Sequence, residues 1–321
     1  MLAALSAALA AGRSPCTMRL GTEPVTNELL GGLFDESIIS PTASVVDAGC
    51  HMGQWSFHFA QNHTRANVHA IDPSHANIRS IKQRANLCDV HNLRPMRGGL
   101  GAAHATLDFA SFATGDKVNV QISIAETPPQ PRQASAREPT TKPTDPFTVY
   151  TLDDLFLTRW KTETLGFAHL DVEGNELDVL KGAMRVIARD RPLLMTEVHV
   201  HRNRTLAASV LAFAERLGYH SWLVDEACGA RQDCRNVLHV PHGRARDFAS
   251  SSTVRLARRK RALRLVDMYS LTEHANPCCA PGAACCPRPH DVAACCSRTA
   301  VADYTRRKSS GWWRSLLMPW A

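Results

Sequence analysis

The stretch VVDAGCHMGQW, residues 45–55, decides how the rest of the chain is read. Val45 and Val46 form an apolar run that enters Asp47-Ala48-Gly49, and Gly53 follows four residues later. This is the pattern of a buried strand, a tight glycine turn and the start of a helix. In an open α/β sheet such a turn lies at the carboxyl ends of the strands, where ligands bind. The pattern D-x-G-x-x-x-G differs from the G-x-G-x-x-G of dinucleotide enzymes.

Further along, VHAIDP at 68–73 is a second apolar strand ending in an acid, Asp72. A carboxylate at this spacing can accept the hydroxyls of a ribose. No Walker-type lysine follows Gly53, so the expected ligand lacks a phosphate chain. A nucleoside without phosphates points to S-adenosylmethionine (SAM). Asp47, Gly49, Cys50, His51 and Gly53 of the first turn are the expected cofactor contacts. Asp72 joins them from the second strand, and Gly99 from the glycine-rich turn at 98–101.

Beyond these two strands, apolar segments alternate with helical ones. Strands are expected at about 93–97, 167–171 and 193–199, with helices from Gln54, from Pro73-Ser74, over 174–187 and over 205–217. In the third of these helices, Leu177, Leu180, Met184 and Ile187 recur at helical spacing. The fold class is therefore α/β, a doubly wound Rossmann-like sheet, mostly parallel. Two late strands, 220–224 and 237–240, lie close in sequence and are expected to pair antiparallel at its C-terminal edge. Residues 105–124 read as a hairpin through the alternating VNVQISI. Residues 126–147, with six prolines, read as a surface insertion, either a tolerated loop or a lid.

Charge divides the chain. The whole carries +7 at neutral pH. Residues 251–321 hold 12 Lys+Arg and 4 Asp+Glu, which leaves 25 and 26 for residues 1–250. A nearly neutral body gives no reason to expect nucleic-acid binding. The expected division is a leader or frayed segment at 1–19, a catalytic domain at 20–250 and a largely disordered basic tail at 251–321. Within that tail RLARRKRALRLV, 255–266, reads as a basic amphipathic helix, either packed on the body or touching a membrane surface or an acidic partner. The tail also carries three adjacent cysteine pairs and the ending GWWRSLLMPW. The scattered cysteines at 16, 50, 88, 228 and 234 read as free thiols, which favours a soluble, cytoplasmic setting over the secretory pathway. The opening MLAALSAALAAG lacks a basic residue before Arg13, so it reads either as a targeting segment or as an Ala-rich helix.

In order along the chain, VVDAGCHMGQWSFHFA, AIDPS, YTLDDLF, HLDVEGNELDVLKGA and PLLMTEVH resemble the FkbM-type methyltransferases over roughly residues 44–240. The resemblance implies the SAM-dependent methyltransferase fold and O-methylation of a hydroxyl on a sugar, glycan or other small metabolite. Its usual acid at the second strand is Glu, and Asp72 stands here. The alternative is a catalytically inactive binding module of the same fold that uses its basic tail for partner or membrane contact.

Methyl transfer to an alcohol calls for alignment and a base. Asp171, at the end of its strand, and His199, near the end of the next, are the expected catalytic residues. Glu173 and Glu176 read as carboxylates complementing a helix N-terminus. Glu197, His199 and His201 alternate along one strand and with Asp171 could ligate a metal, but this spacing alone is weak and no metal is expected.

Overall fold

The computed structural model describes residues 16, 23–62, 65–108, 145–199, 204–228 and 234–266. Helix α1 (Pro24–Asp35) leads into β1 (Ser44–Ala48), α2 (Gln54–Asn62), β2 (Val68–Asp72), α3 (His75–Leu87) and β3 (Leu93–Arg97). Two short strands follow, β4 (Gly99–Leu100) and β5 (Ala105–Asp108). After residue 145 the chain continues as β6 (Pro146–Tyr150), α4 (Leu152–Asp154), β7 (Leu165–Leu170), α5 (Glu176–Lys181), α6 (Met184–Asp190) and β8 (Leu193–Val198). It then forms α7 (Arg204–Arg216), β9 (Tyr219–Cys228), β10 (Cys234–Pro241), α8 (Ala245–Ser250), α9 (Ser252–Arg259) and β11 (Leu263–Val266).

The main sheet runs β11-β9-β10-β8-β7-β1-β2-β3. The five strands from β3 to β8 are parallel, and the β8, β10, β9 and β11 neighbours pair antiparallel. The doubly wound fold with an antiparallel C-terminal edge is therefore present. Strands β1, β2 and β7 are buried along their whole length, as parallel strands covered on both faces must be. From β1 the chain winds outward through β2 to β3. It re-enters on the other side at β7, which makes the β1/β7 boundary the switch point.

Local chemistry sets the helices that frame this point. Ser74 caps α3 by accepting from the Asn77 N–H at 3.2 Å, and Ile78, Ile81 and Ala85 turn inward. Thr151 caps α4 in the same way, accepting from the Asp154 N–H at 3.0 Å. The first turn of α1 is held from across the sheet, where Glu226 accepts from the N–H groups of Val25 and Thr26 at 2.9 and 2.8 Å.

Several expectations change. The helix read over 174–187 is two helices broken at Gly182. A Cβ on Gly182 would lie 2.0 Å from the Gly101 carbonyl oxygen, so the backbones meet there. Met184 consequently turns outward and is 48% exposed. The helix read over 255–266 stops at Arg259. Arg261 adopts the left-handed conformation at φ 59°, and Leu263–Val266 becomes an edge strand on β9. The division expected at 250/251 thus falls inside the sheet. Ala105–Asp108 pairs antiparallel with Pro146–Tyr150, and 118–124, its expected partner, lies outside the described residues. So do the body of the 126–147 insertion, His201, the paired cysteines and the C-terminal tryptophans.

The free-thiol reading is also corrected. Cys16 and Cys88 form a disulfide with Cα atoms 5.4 Å apart, bridging a sequence separation of 72, and Cys234 is disulfide-bonded too. Cys50 is the free cysteine among the described residues, and it is buried. No helix among them is long and apolar enough to cross a membrane.

Candidate active site

At the switch point the strand ends enclose a cleft of about 550 Å³. That size lies within the range of small-molecule sites. The first turn, the start of α3, the β3–β4 turn and the ends of β7 and β8 line it.

Gly49 and Gly53 both sit at φ +79°, where glycine is the unstrained choice. Their neighbours add a second constraint. A Cβ on Gly49 would lie 1.6 Å from the Asp171 carbonyl oxygen, and one on Gly53 would meet Ile81 at 2.9 Å. Gly49 is therefore needed where the ends of β1 and β7 cross.

Asp72 is only 6% exposed and is held by donors on both oxygens. Its Oδ1 accepts from the Ser74 N–H at 2.8 Å and from Asn77 Nδ2 at 3.1 Å, and its Oδ2 from the His51 N–H at 2.9 Å. Burial raises its pKa against the pull of these donors. A carboxylate offers about four acceptor positions, so three are used and one remains for a ligand. That refines the expectation of a two-hydroxyl contact. His51 contributes its backbone amide, while its side chain is exposed at the cleft mouth. The Cys50 thiol is pushed up by burial, then by Asp47 and Asp72, and serves as neutral wall.

Asp47 is 1% exposed and both its oxygens are taken. Ser56 donates to Oδ2, and His169 Nδ1 pairs with Oδ1 at 2.8 Å. His169 lies directly opposite Asp47 in the β1–β7 register. Burial alone would lower the His169 pKa; the Asp47 hydrogen bond and charge, with Asp171 and Glu23, outweigh it and raise it. The ring of Trp55 lies 5.5 Å from the imidazole.

Asp171 follows β7, and its N–H donates to the Ala48 carbonyl at 3.0 Å. Its carboxylate accepts no hydrogen bond from the described residues. Burial raises its pKa to about 7, with His169 pulling down and Glu173, Glu176 and Asp47 pushing up. On β8, Glu197 is raised to about 10 by burial and then by the charge of Asp171. Two neighbouring buried carboxyls do not ionise together, so Asp171 ionises first and Glu197 keeps its proton. His199 does not line the cleft; its Nε2 lies 3.3 Å from Glu197 and 3.5 Å from Glu173. Among the described residues no group of three His, Cys, Asp or Glu side chains is placed to hold a metal. Glu176, the first residue of α5, accepts from the Gly174 N–H at 2.9 Å, and Asp178 and Lys181 pair at 2.8 Å on the outer face.

Reading the sequence missed Glu23, Trp55, His169 and Phe147 as cleft residues. His169 had a signal, a polar side chain inside an otherwise apolar strand. Glu23 had none, because packing of α1 alone brings it to the cleft.

The sequence profile described as "Methyltransferase FkbM domain" matches residues 47–221, over half of the chain. The chain belongs to the FkbM methyltransferase family. Among solved structures it is similar to an FkbM methyltransferase from Methylobacillus flagellatus KT, at 18% identity and TM-score 0.42, covering 62% of this chain and 44% of that one. It thus spans under half the length of that protein. It is also similar to a precorrin-6y C5,15-methyltransferase from Geobacter metallireducens GS-15 (8% identity, TM-score 0.39, covering 70% and 91%). A third likeness is fibrillarin from Aeropyrum pernix, solved with natively bound SAM (12%, 0.38, 67% and 76%). No curated protein sequence matches the chain.

The cofactor of this FkbM methyltransferase is SAM. The cleft residues fit it. Asp72 keeps an open acceptor position that would suit a ribose hydroxyl, and Ile71, Leu100 and Phe147 would offer apolar wall to a purine. Gly99 lies on the same wall. Carboxylates line the other side, with no Lys or Arg among the described lining residues, which suits a positively charged sulfonium.

Proposed function

We propose that this SAM-dependent methyltransferase transfers its methyl group to oxygen, on a hydroxyl of a sugar, glycan or other small metabolite. The observation that supports the reading is Asp171, a cleft-lining carboxylate that accepts no hydrogen bond from the described residues and whose pKa burial raises to about 7. The donor, when bound, supplies a methyl group on a cationic sulfonium. The chain's task is to aim the acceptor hydroxyl and to take its proton. Asp171 Oδ accepts that proton as the oxygen gains the methyl group. Protonated Glu197 donates a hydrogen bond that orients the acceptor. His169, charged and braced by Asp47, keeps Asp171 from rising further. His199 acts through Glu173 and Glu197 as a positioning residue. Alignment contributes up to roughly 7–11 kcal/mol, and a placed base about 10²–10⁴-fold. A neutral polyol suits a cleft whose described lining residues include acids and no Lys or Arg, and those acids would repel a phosphorylated or sulfated acceptor.

The test begins with calorimetry of SAM binding to the wild type and Asp72→Ala. Losing a hydrogen bond to a charged group should weaken binding by roughly 1.5–3 kcal/mol. Labelled methyl is then followed onto neutral sugars, glycans and small alcohols. Label recovered on nitrogen or carbon instead of oxygen would overturn the proposal.

A further inference from the structure

We propose that the corner formed by α9 and β11 is a docking surface for an anionic lipid bilayer. Six cations fall between Arg255 and Arg264. Lys260 reaches Glu28 at 3.5 Å, and Arg264 pairs with Asp225. The guanidinium of Arg258 lies 5.5 Å over the Trp222 ring. Arg255, Arg259 and Arg261 are exposed and meet no carboxylate among the described residues.

The helix settles where these charges point. Val254 and Ala257 pack inward, so at 3.6 residues per turn Arg255, Leu256 and Arg259 share the outer face. Leu256 is 37% exposed. Leu265, 40% exposed, stands opposite Trp222 in the β11–β9 ladder and so emerges on the sheet face that α9 covers. Two apolar side chains therefore project among unpaired guanidiniums. That combination matches a bilayer surface, where leucines enter the headgroup boundary and arginines meet lipid phosphates. Nucleic acid is the poorer match, because single strands are held by stacking on exposed aromatic rings, and Trp222 is covered by Arg258. The proposal stands apart from the methyl-transfer reading, since none of these residues lines the cleft.

The test is co-sedimentation of the full chain with phosphatidylcholine vesicles, alone or with about 30% phosphatidylserine, at low and high salt. Binding is expected to the anionic vesicles only and to fall steeply with salt. The triple variants Arg255→Gln/Arg259→Gln/Arg261→Gln and Arg255→Glu/Arg259→Glu/Arg261→Glu should lose at least about tenfold in affinity. Leu256→Ser/Leu265→Ser should weaken binding several-fold and leave the salt dependence intact. Circular dichroism confirms that each variant folds. The proposal fails if anionic vesicles do not pellet the protein, if neutral vesicles do so equally, if both triple variants bind as before, or if duplex DNA at equal charge binds more tightly.

Discussion

Asp171 lies two residues past His169, just beyond the end of β7, and both line the cleft. A general base must be unprotonated, and Asp171 is held at about 7. Turnover should therefore rise with pH through about 7. Asp171→Asn should remove that rise and lower turnover by roughly 10²–10⁴ while leaving SAM affinity within a small factor. His169→Gln removes a cation that lowers the Asp171 pKa, so the rising limb should move to higher pH. His199→Gln should leave its midpoint in place, because His199 reaches the cleft only through Glu173 and Glu197. A limb that disappears in His199→Gln and persists in Asp171→Asn would transfer the role of base to His199.

At the scale of elements, two glycines offer a matched pair. Gly182 separates α5 from α6 with its Cα against the Gly101 backbone, and its own φ is an ordinary −78°. Gly182→Ala thus tests packing alone and should destabilise by roughly 1–3 kcal/mol, as overpacking does. Gly31 lies inside α1 with nothing within 4 Å of a built Cβ. Gly31→Ala should stabilise by roughly 0.5–1 kcal/mol through helix propensity. Denaturant midpoints of the two variants should move in opposite directions; a shared direction would show that the α5–α6 break is not set by this contact.

For the molecule as a whole, the folded body includes residues up to at least Val266. Val254, Leu263 and Val266 are buried, and Glu36 holds the start of α9 by accepting from the N–H groups of Ser252 and Thr253 at 2.9 Å. A chain ending at residue 250 loses all of this and bares the edge of β9. Three buried aliphatic side chains correspond to about 5 kcal/mol, so its urea midpoint should fall sharply, whereas a chain ending at 266 should keep it. The Cys16–Cys88 bridge closes a long loop, and an unstrained bridge of that span stabilises by up to about 4 kcal/mol. Reduction, or Cys16→Ser, should lower the melting temperature, and non-reducing peptide mapping should recover the 16–88 pair. Disulfides persist in oxidising compartments, so material made in a reducing cytosol should show the lower melting temperature.

Much of this was legible in the residues themselves. Apolar runs bounded by glycine and acid placed β1, β2, β7 and β8, because a strand covered on both faces must be apolar throughout. The D-x-G-x-x-x-G turn and Asp72 marked the strand ends that line the cleft, since a backbone turn and its neighbouring acid are local features. The division of α5 from α6, the strand at Leu263–Val266 and the disulfide were not legible, because each depends on what another segment brings alongside. The His169–Asp47 pair joins residues 122 apart in sequence, and Glu23 reaches the cleft only through the packing of α1. Local pattern determined which segments were strands and at which strand ends the cleft opens. Tertiary contact decided which charges face one another, because charge–charge coupling follows distance in space and burial, neither of which the order of residues encodes.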